Sequence, residues 1–133
     1  MINLKAMGEE IRKYIILNII NPALKSLGKD IKELEGTQAA IVSIRLMMYI
    51  EKKYMELMNK ITRNKKLSTD KERLFNYIRF ELYSDVKKYS ENVVDLDLNK
   101  VELTEDTQKV IEETLRLLRA DLRKQVETIL ASE

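Results

Sequence analysis

The stretch TQAAIVSIRLMMYIEKKYMELMNKITR, residues 37–63, decides the fold. Met47, Ile50, Tyr54, Leu57 and Ile61 recur at steps of three and four, the spacing of one helix face. Beside them Ile41, Ile44, Met48, Met55 and Met58 form a second apolar stripe, which widens the surface beyond a two-helix seam. Thr37 stands where an N-cap belongs. A helix of about 27 residues is ~40 Å long, more than the ~28 Å diameter of a compact chain of this size. The pattern therefore predicts an elongated, all-α antiparallel bundle with this helix at its centre, touching at least two others.

On the N-terminal side, Leu4, Met7, Ile11, Tyr14 or Ile15, and Leu17 keep helical spacing, with Glu9, Glu10, Arg12 and Lys13 on the other side. From Tyr14 to Ile20 the helix turns apolar nearly all round, so neighbouring helices or another subunit must enclose it. Asn21-Pro22 reads as a boundary, with Asn21 as N-cap and Pro22 at the first helical position; a kinked continuation is the alternative. A second helix is expected from Pro22 to Glu35 through Leu24, Leu27, Ile31 and Leu34, ended by Gly36.

On the C-terminal side, Thr69-Asp70-Lys71-Glu72 matches a capping box, opening a helix to about Tyr89 through Phe75, Ile78, Leu82 and Val86. Residues 91–103 are the one segment without clear helical period, expected as an apolar-pinned loop with a short hairpin as the alternative. Thr104, followed by Glu105 and Asp106, starts a last helix that buries Ile111, Leu115, Leu118, Leu122, Val126 and Ile129. Four to five helices in a single domain, residues 1–133, are the expected architecture.

Composition removes function classes. The 133 residues contain no His and no Cys, so the common Cys and His nucleophile and base arrangements and most zinc sites are absent. No apolar run approaches the ~20 residues that cross a bilayer, and no basic leader precedes a cleavage site, so no membrane partner and a cytoplasmic location are expected. The net charge of +2 is small. It is unevenly placed, with 13 Lys/Arg against 7 Asp/Glu in residues 1–66 and 11 against 15 in residues 67–133. Such a split steers polyanions to one end or lets the halves attract each other or a second copy.

The candidate residues fall into three groups. Tyr14, Ile15, Ile16, Ile19, Ile20, Met48, Met55 and Met58 are surplus apolar surface, pointing to a homo-oligomer or a helical protein partner. Arg45, Lys52, Lys53, Lys60, Arg63, Lys65 and Lys66 form a basic ridge that a nucleic-acid backbone would find attractive, although Glu51 and Glu56 interrupt it. Arg116, Arg119 and Arg123 repeat the pattern on the last helix. Glu81 and Asp85, four residues apart on one face, are the third group: with His absent, a metal in such a bundle must be Mg²⁺ or Mn²⁺ on oxygen ligands alone.

Glu81 and Asp85 resemble the Glu-x-x-x-Asp half of the signature of all-helical nucleoside-triphosphate pyrophosphohydrolases. Where that family has an upstream Glu-Glu-x-x-Glu run, this chain has Glu9-Glu10-Ile11-Arg12-Lys13, with lysine in the last place. Over Ala39 to Tyr89, a long helix leading through Lys65-Lys66-Leu67-Ser68-Thr69-Asp70 into a second helix resembles the helical domain of GINS replication-complex subunits. It is similar, too, to the helical small subunit of type III CRISPR effector complexes. Both resemblances imply a helical subunit whose work is assembly, and neither supplies a site residue. The expectation is a non-enzymatic helical assembly or scaffold protein without cofactor or metal, with a nucleic-acid-associated subunit as the alternative and a carboxylate-metal nucleotide hydrolase as the third.

Overall fold

A computed structural model describes the placement of residues 4–63, 81–92 and 104–131. Those residues form an all-α bundle: α1 (Leu4–Ile15), a π-helical turn (Ile16–Ile20), α2 (Asn21–Lys25), α3 (Ile31–Leu34), α4 (Gln38–Arg63), α5 (Tyr83–Asn92) and α6 (Glu105–Ala131). Among the described residues there is no strand. The capping box at Thr69–Glu72, the residues Phe75 and Ile78, and the 93–103 segment lie outside them. Glu91 and Asn92 belong to α5, which runs past the expected end at Tyr89.

The boundary expected at Asn21-Pro22 is absent. Asn21 has helical dihedrals, φ −61° and ψ −44°, and its N–H reaches the carbonyl of Ile16, five residues back. A proline inside an ordinary α-helix collides with the carbonyl four residues earlier and leaves it without a donor. The wider π turn relieves that clash, so the helix passes through Pro22 instead of restarting there. The Asn18 side-chain amide donates to the Tyr14 carbonyl at 2.9 Å within the same turn. The helix ends at Lys25, and three residues on Gly28 takes φ +71°, a left-handed value that favours glycine. The expected helix over Pro22–Glu35 is thus two short pieces, α2 and α3, separated by that turn.

Local capping follows the sequence closely. Gly36 takes φ +74°, and Thr37 Oγ1 accepts the Ala40 N–H at 3.4 Å while donating to the Leu34 carbonyl at 2.6 Å. At the start of α6, Thr104 Oγ1 accepts the Thr107 N–H at 3.2 Å, with Glu105 and Asp106 at the positive end of the helix dipole.

α4 is central, packing on α1, α2, α5 and α6. The chain reverses between α2 and α4, so α1 and α4 are antiparallel; Lys53 meeting Asp85 and Tyr49 stacking on Tyr89 make α4 and α5 antiparallel as well. α4 and α6 run parallel and in register. Tyr54 meets Asp121, 67 residues on, and the caps Thr37 and Thr104, equally spaced, line one cleft. The core between them is Ile15, Ile19, Leu24, Ile50, Leu57, Leu82, Val86, Val110, Leu118 and Leu122, with Val42 and Leu46 in a second cluster against Tyr89 and Ile111.

One of the buried polar side chains stands apart from the others. Thr114 is fully buried and its hydroxyl has no hydrogen-bond partner among the described residues. A buried donor without a partner costs about 1–3 kcal/mol, which an apolar group of the same shape avoids. Thr114→Val is therefore expected to raise stability by about 1 kcal/mol in urea unfolding; a loss of that size would show that the hydroxyl is satisfied.

Candidate interaction surface

Helix α4 has two apolar faces. Ala39, Val42, Leu46, Ile50, Tyr54 and Leu57 are closed inside the bundle, while Ile41, Ile44 and Met48, one helical step apart on the opposite side, remain 39%, 53% and 60% exposed. Met55 continues that line, half-buried. On the neighbouring π turn Leu17 is 67% exposed, and Tyr14 just before it is 41% exposed. Scattered apolar residues are ordinary on a protein surface, but three large ones in register on one helix are a contiguous strip.

Of the two enclosures expected for the apolar ring from Tyr14 to Ile20, neighbouring helices of the same chain supply that of its isoleucines at 15, 19 and 20. Ile15, Ile19 and Ile20 are buried against α4 and α6 within the single chain, so they need no second molecule. Ile16 is half-buried. Of the expected interface set, Met48 and Tyr14 stand open. The side chain of Met58 lies outside the described residues.

Tyr14 is exposed on its ring and tied down at its hydroxyl. Asp121, on the inner side of α6, is nearly buried and accepts hydrogen bonds from two phenols: Tyr14 on Oδ1 and Tyr54 on Oδ2, the latter at 2.7 Å. One carboxylate thereby joins α1, α4 and α6. Sequence reading missed this cluster because Asp121 sits between Arg119 and Arg123 in a charged run that looks solvated.

Burial and the hydrogen bond to Asp121 push the Tyr14 hydroxyl up to about 12. Because the folded value lies above the ordinary 10, the contact favours the protonated phenol, and its contribution is complete below pH ~10 and lost as pH rises from ~10 to ~12. An alkaline titration is expected to show a late phenolate absorbance step together with a falling urea midpoint in that window. Tyr14→Phe should remove both; persistence of the step would assign it elsewhere.

Within the described part of the basic ridge, Lys53 is engaged by neighbouring carboxylates. Lys53 bridges Asp85 at 2.9 Å and Glu56 at 3.3 Å, its side chain 14% exposed, with its ammonium 5.5 Å from the centre of the Tyr49 ring. The hydrogen bond to Asp85, opposed by burial and aided by Glu56, holds that ammonium above the ordinary lysine range. Arg45 is half-buried and Lys52 exposed. The side chains of Lys60 and Arg63, and the whole of Lys65 and Lys66, lie outside the described residues. On α6, Arg116 pairs with Glu113 at 2.7 Å and Arg123 with Glu127 at 3.9 Å, as on a solvated helix face.

The carboxylates proposed for a metal are separated by use. Asp85 is held by Lys53 and Glu81 is exposed, and among the described residues no group of three acidic ligands converges. No described helix is long and apolar enough to cross a membrane. Comparison of the sequence with protein-family models and curated proteins, and of the fold with solved structures, finds no match. The resemblances noted for residues 39–89 and for Glu81 and Asp85 therefore carry no argument beyond helix pattern.

Proposed function

We propose that this chain is a non-enzymatic assembly module that works through protein–protein contact, with the outer face of α4 as its contact surface. One observation carries the reading: Ile41, Ile44 and Met48 stay in water on one side of a helix whose other side already fills the core. An isolated bundle gains nothing by placing isoleucine, isoleucine and methionine in register on its outside, whereas covering the still-exposed part of each against another molecule is favourable by about 1 kcal/mol. The reading admits a second copy or a different helical protein. Phosphate binding through α4 is weaker, since Lys53 is already closed by two carboxylates and Arg45 is half-buried.

Photo-crosslinking tests it. With benzoylphenylalanine in place of Met48, irradiation in cells is expected to give adducts of defined mass, while the same group in place of Arg119, on the outer side of α6, gives none. A chain labelled at position 48 that yields no adduct removes the reading.

A further inference from the structure

The chain carries six Met and no Cys, so no thiol competes for a two-electron oxidant and methionine sulfur is the atom such a reagent attacks. Met47, Met48 and Met55 are the methionines whose side chains are described, and all three lie on α4. They differ in cover. Met47 packs against the core, Met55 is half-buried and Met48 is 60% exposed. Met47 and Met48 are neighbours in sequence, yet the ~100° of rotation between successive helical residues turns one inward and the other out. A reagent in water reaches the Met48 thioether without any opening of the bundle, whereas reaching that of Met47 requires the helices to part.

Resting on the assembly reading above, we propose that Met48 is an oxidation site whose sulfoxide switches off the outer face of α4. The step is an oxygen transfer from a peroxide. The thioether sulfur attacks one oxygen of hydrogen peroxide, and the S–O bond forms as the O–O bond breaks. The proton on the transferred oxygen passes to the departing hydroxide, which leaves as water; sulfur is oxidised by two electrons and the peroxide is reduced. The product places a strong hydrogen-bond acceptor in the strip, between Ile44 and Met55, where an apolar group stood. In water the sulfoxide is solvated and the fold is untouched. Covered by an apolar partner, it loses that water and finds no donor. A partner already seated on the strip shields the sulfur, so modification falls on the free chain. Methionine sulfoxide reductases, one for each epimer, reverse the step: a dithiol is oxidised to a disulfide, the thioether returns and the oxygen leaves as water.

For the test, hydrogen peroxide is titrated into the purified full chain and each methionine is followed by peptide mass mapping. Met48 is expected to gain oxygen before Met47 and Met55, and the chain oxidised at Met48 to elute earlier from a phenyl column with an unchanged urea midpoint. In cells, benzoylphenylalanine in place of Ile41 reads the same face with Met48 intact. Its adducts should fall at least about tenfold after a peroxide pulse, because a buried acceptor without a donor opposes docking. They should return once the pulse is over, and persist through it in a chain that also carries Met48→Leu. Oxidation of Met47 or Met55 ahead of Met48, or a lower urea midpoint with Met48 alone oxidised, overturns the site. Adducts that survive on chains carrying the Met48 sulfoxide, or that vanish equally from the Met48→Leu chain, overturn the switch. If neither position 41 nor position 48 gives adducts before any peroxide, the assembly reading falls and the switch with it, while the order of oxidation still decides the site.

Discussion

Replacing Asp121 by alanine is expected to lower stability by about 3 kcal/mol, measured by urea unfolding. Hydrogen bonds to a charged acceptor contribute about 1.5–3 kcal/mol, and a buried hydroxyl left without a partner costs about 1–3. Tyr54 is almost wholly buried, so its hydroxyl has no water to turn to, whereas the half-open Tyr14 can be rehydrated. The order of loss should be Asp121→Ala, then Tyr54→Phe, then Tyr14→Phe at about 1 kcal/mol or less. The two phenols share one carboxylate, so their effects should not add. Tyr54→Phe made together with Asp121→Leu should lose less than Asp121→Leu alone, because the buried phenol that lost its carboxylate is then gone and the remaining one, Tyr14, is half-open to water. An Asp121→Ala chain as stable as the parent would mean that the three helices are joined by packing alone.

Ile50→Ala is expected to cost about 2–5 kcal/mol, and Met48→Ala, two residues earlier on the same helix, less than about 0.5. The two side chains point some 200° apart around α4. Ile50 lies fully inside the core, where truncation leaves a cavity; Met48 is 60% exposed and leaves none. The pair of measurements tests the double-faced character of α4 on which the interaction surface depends. Equal losses would place Met48 in a covered environment and remove the exposed strip.

Much of the architecture is written in short-range chemistry. Thr37 and Thr104 cap helices because a side-chain oxygen there meets a free N–H three residues on, and Gly36 ends the segment before α4 because it accepts a left-handed dihedral. The steps of three and four from Met47 to Leu57 mark the inward face of α4, while Ile41, Ile44 and Met48 of the second stripe, expected to widen its packing surface, stay exposed. Val42 and Leu46 escaped notice because they lie between the two stripes, and their burial depends on α5 and α6 arriving on that side. The helix stop expected at Asn21-Pro22 failed for a related reason. Proline forbids an α turn, not a π turn, and the enclosing helices bury Ile19, Ile20, Ala23 and Leu24 together only if the segment stays continuous.

The sequence by itself determined an all-helical chain, the places where α4 and α6 begin, and the presence of more apolar surface on α4 than one seam can use. These depend on spacing and on groups within a few residues of one another. Only the tertiary structure decided which stripe stays in water, that Ile15, Ile19 and Ile20 close within the chain, and that Asp121 joins Tyr14 and Tyr54 instead of facing solvent with its arginine neighbours. The physical reason is that burial belongs to pairs of helices: which residues lose their water follows from the parallel register of α4 and α6, a contact 67 residues apart along the chain.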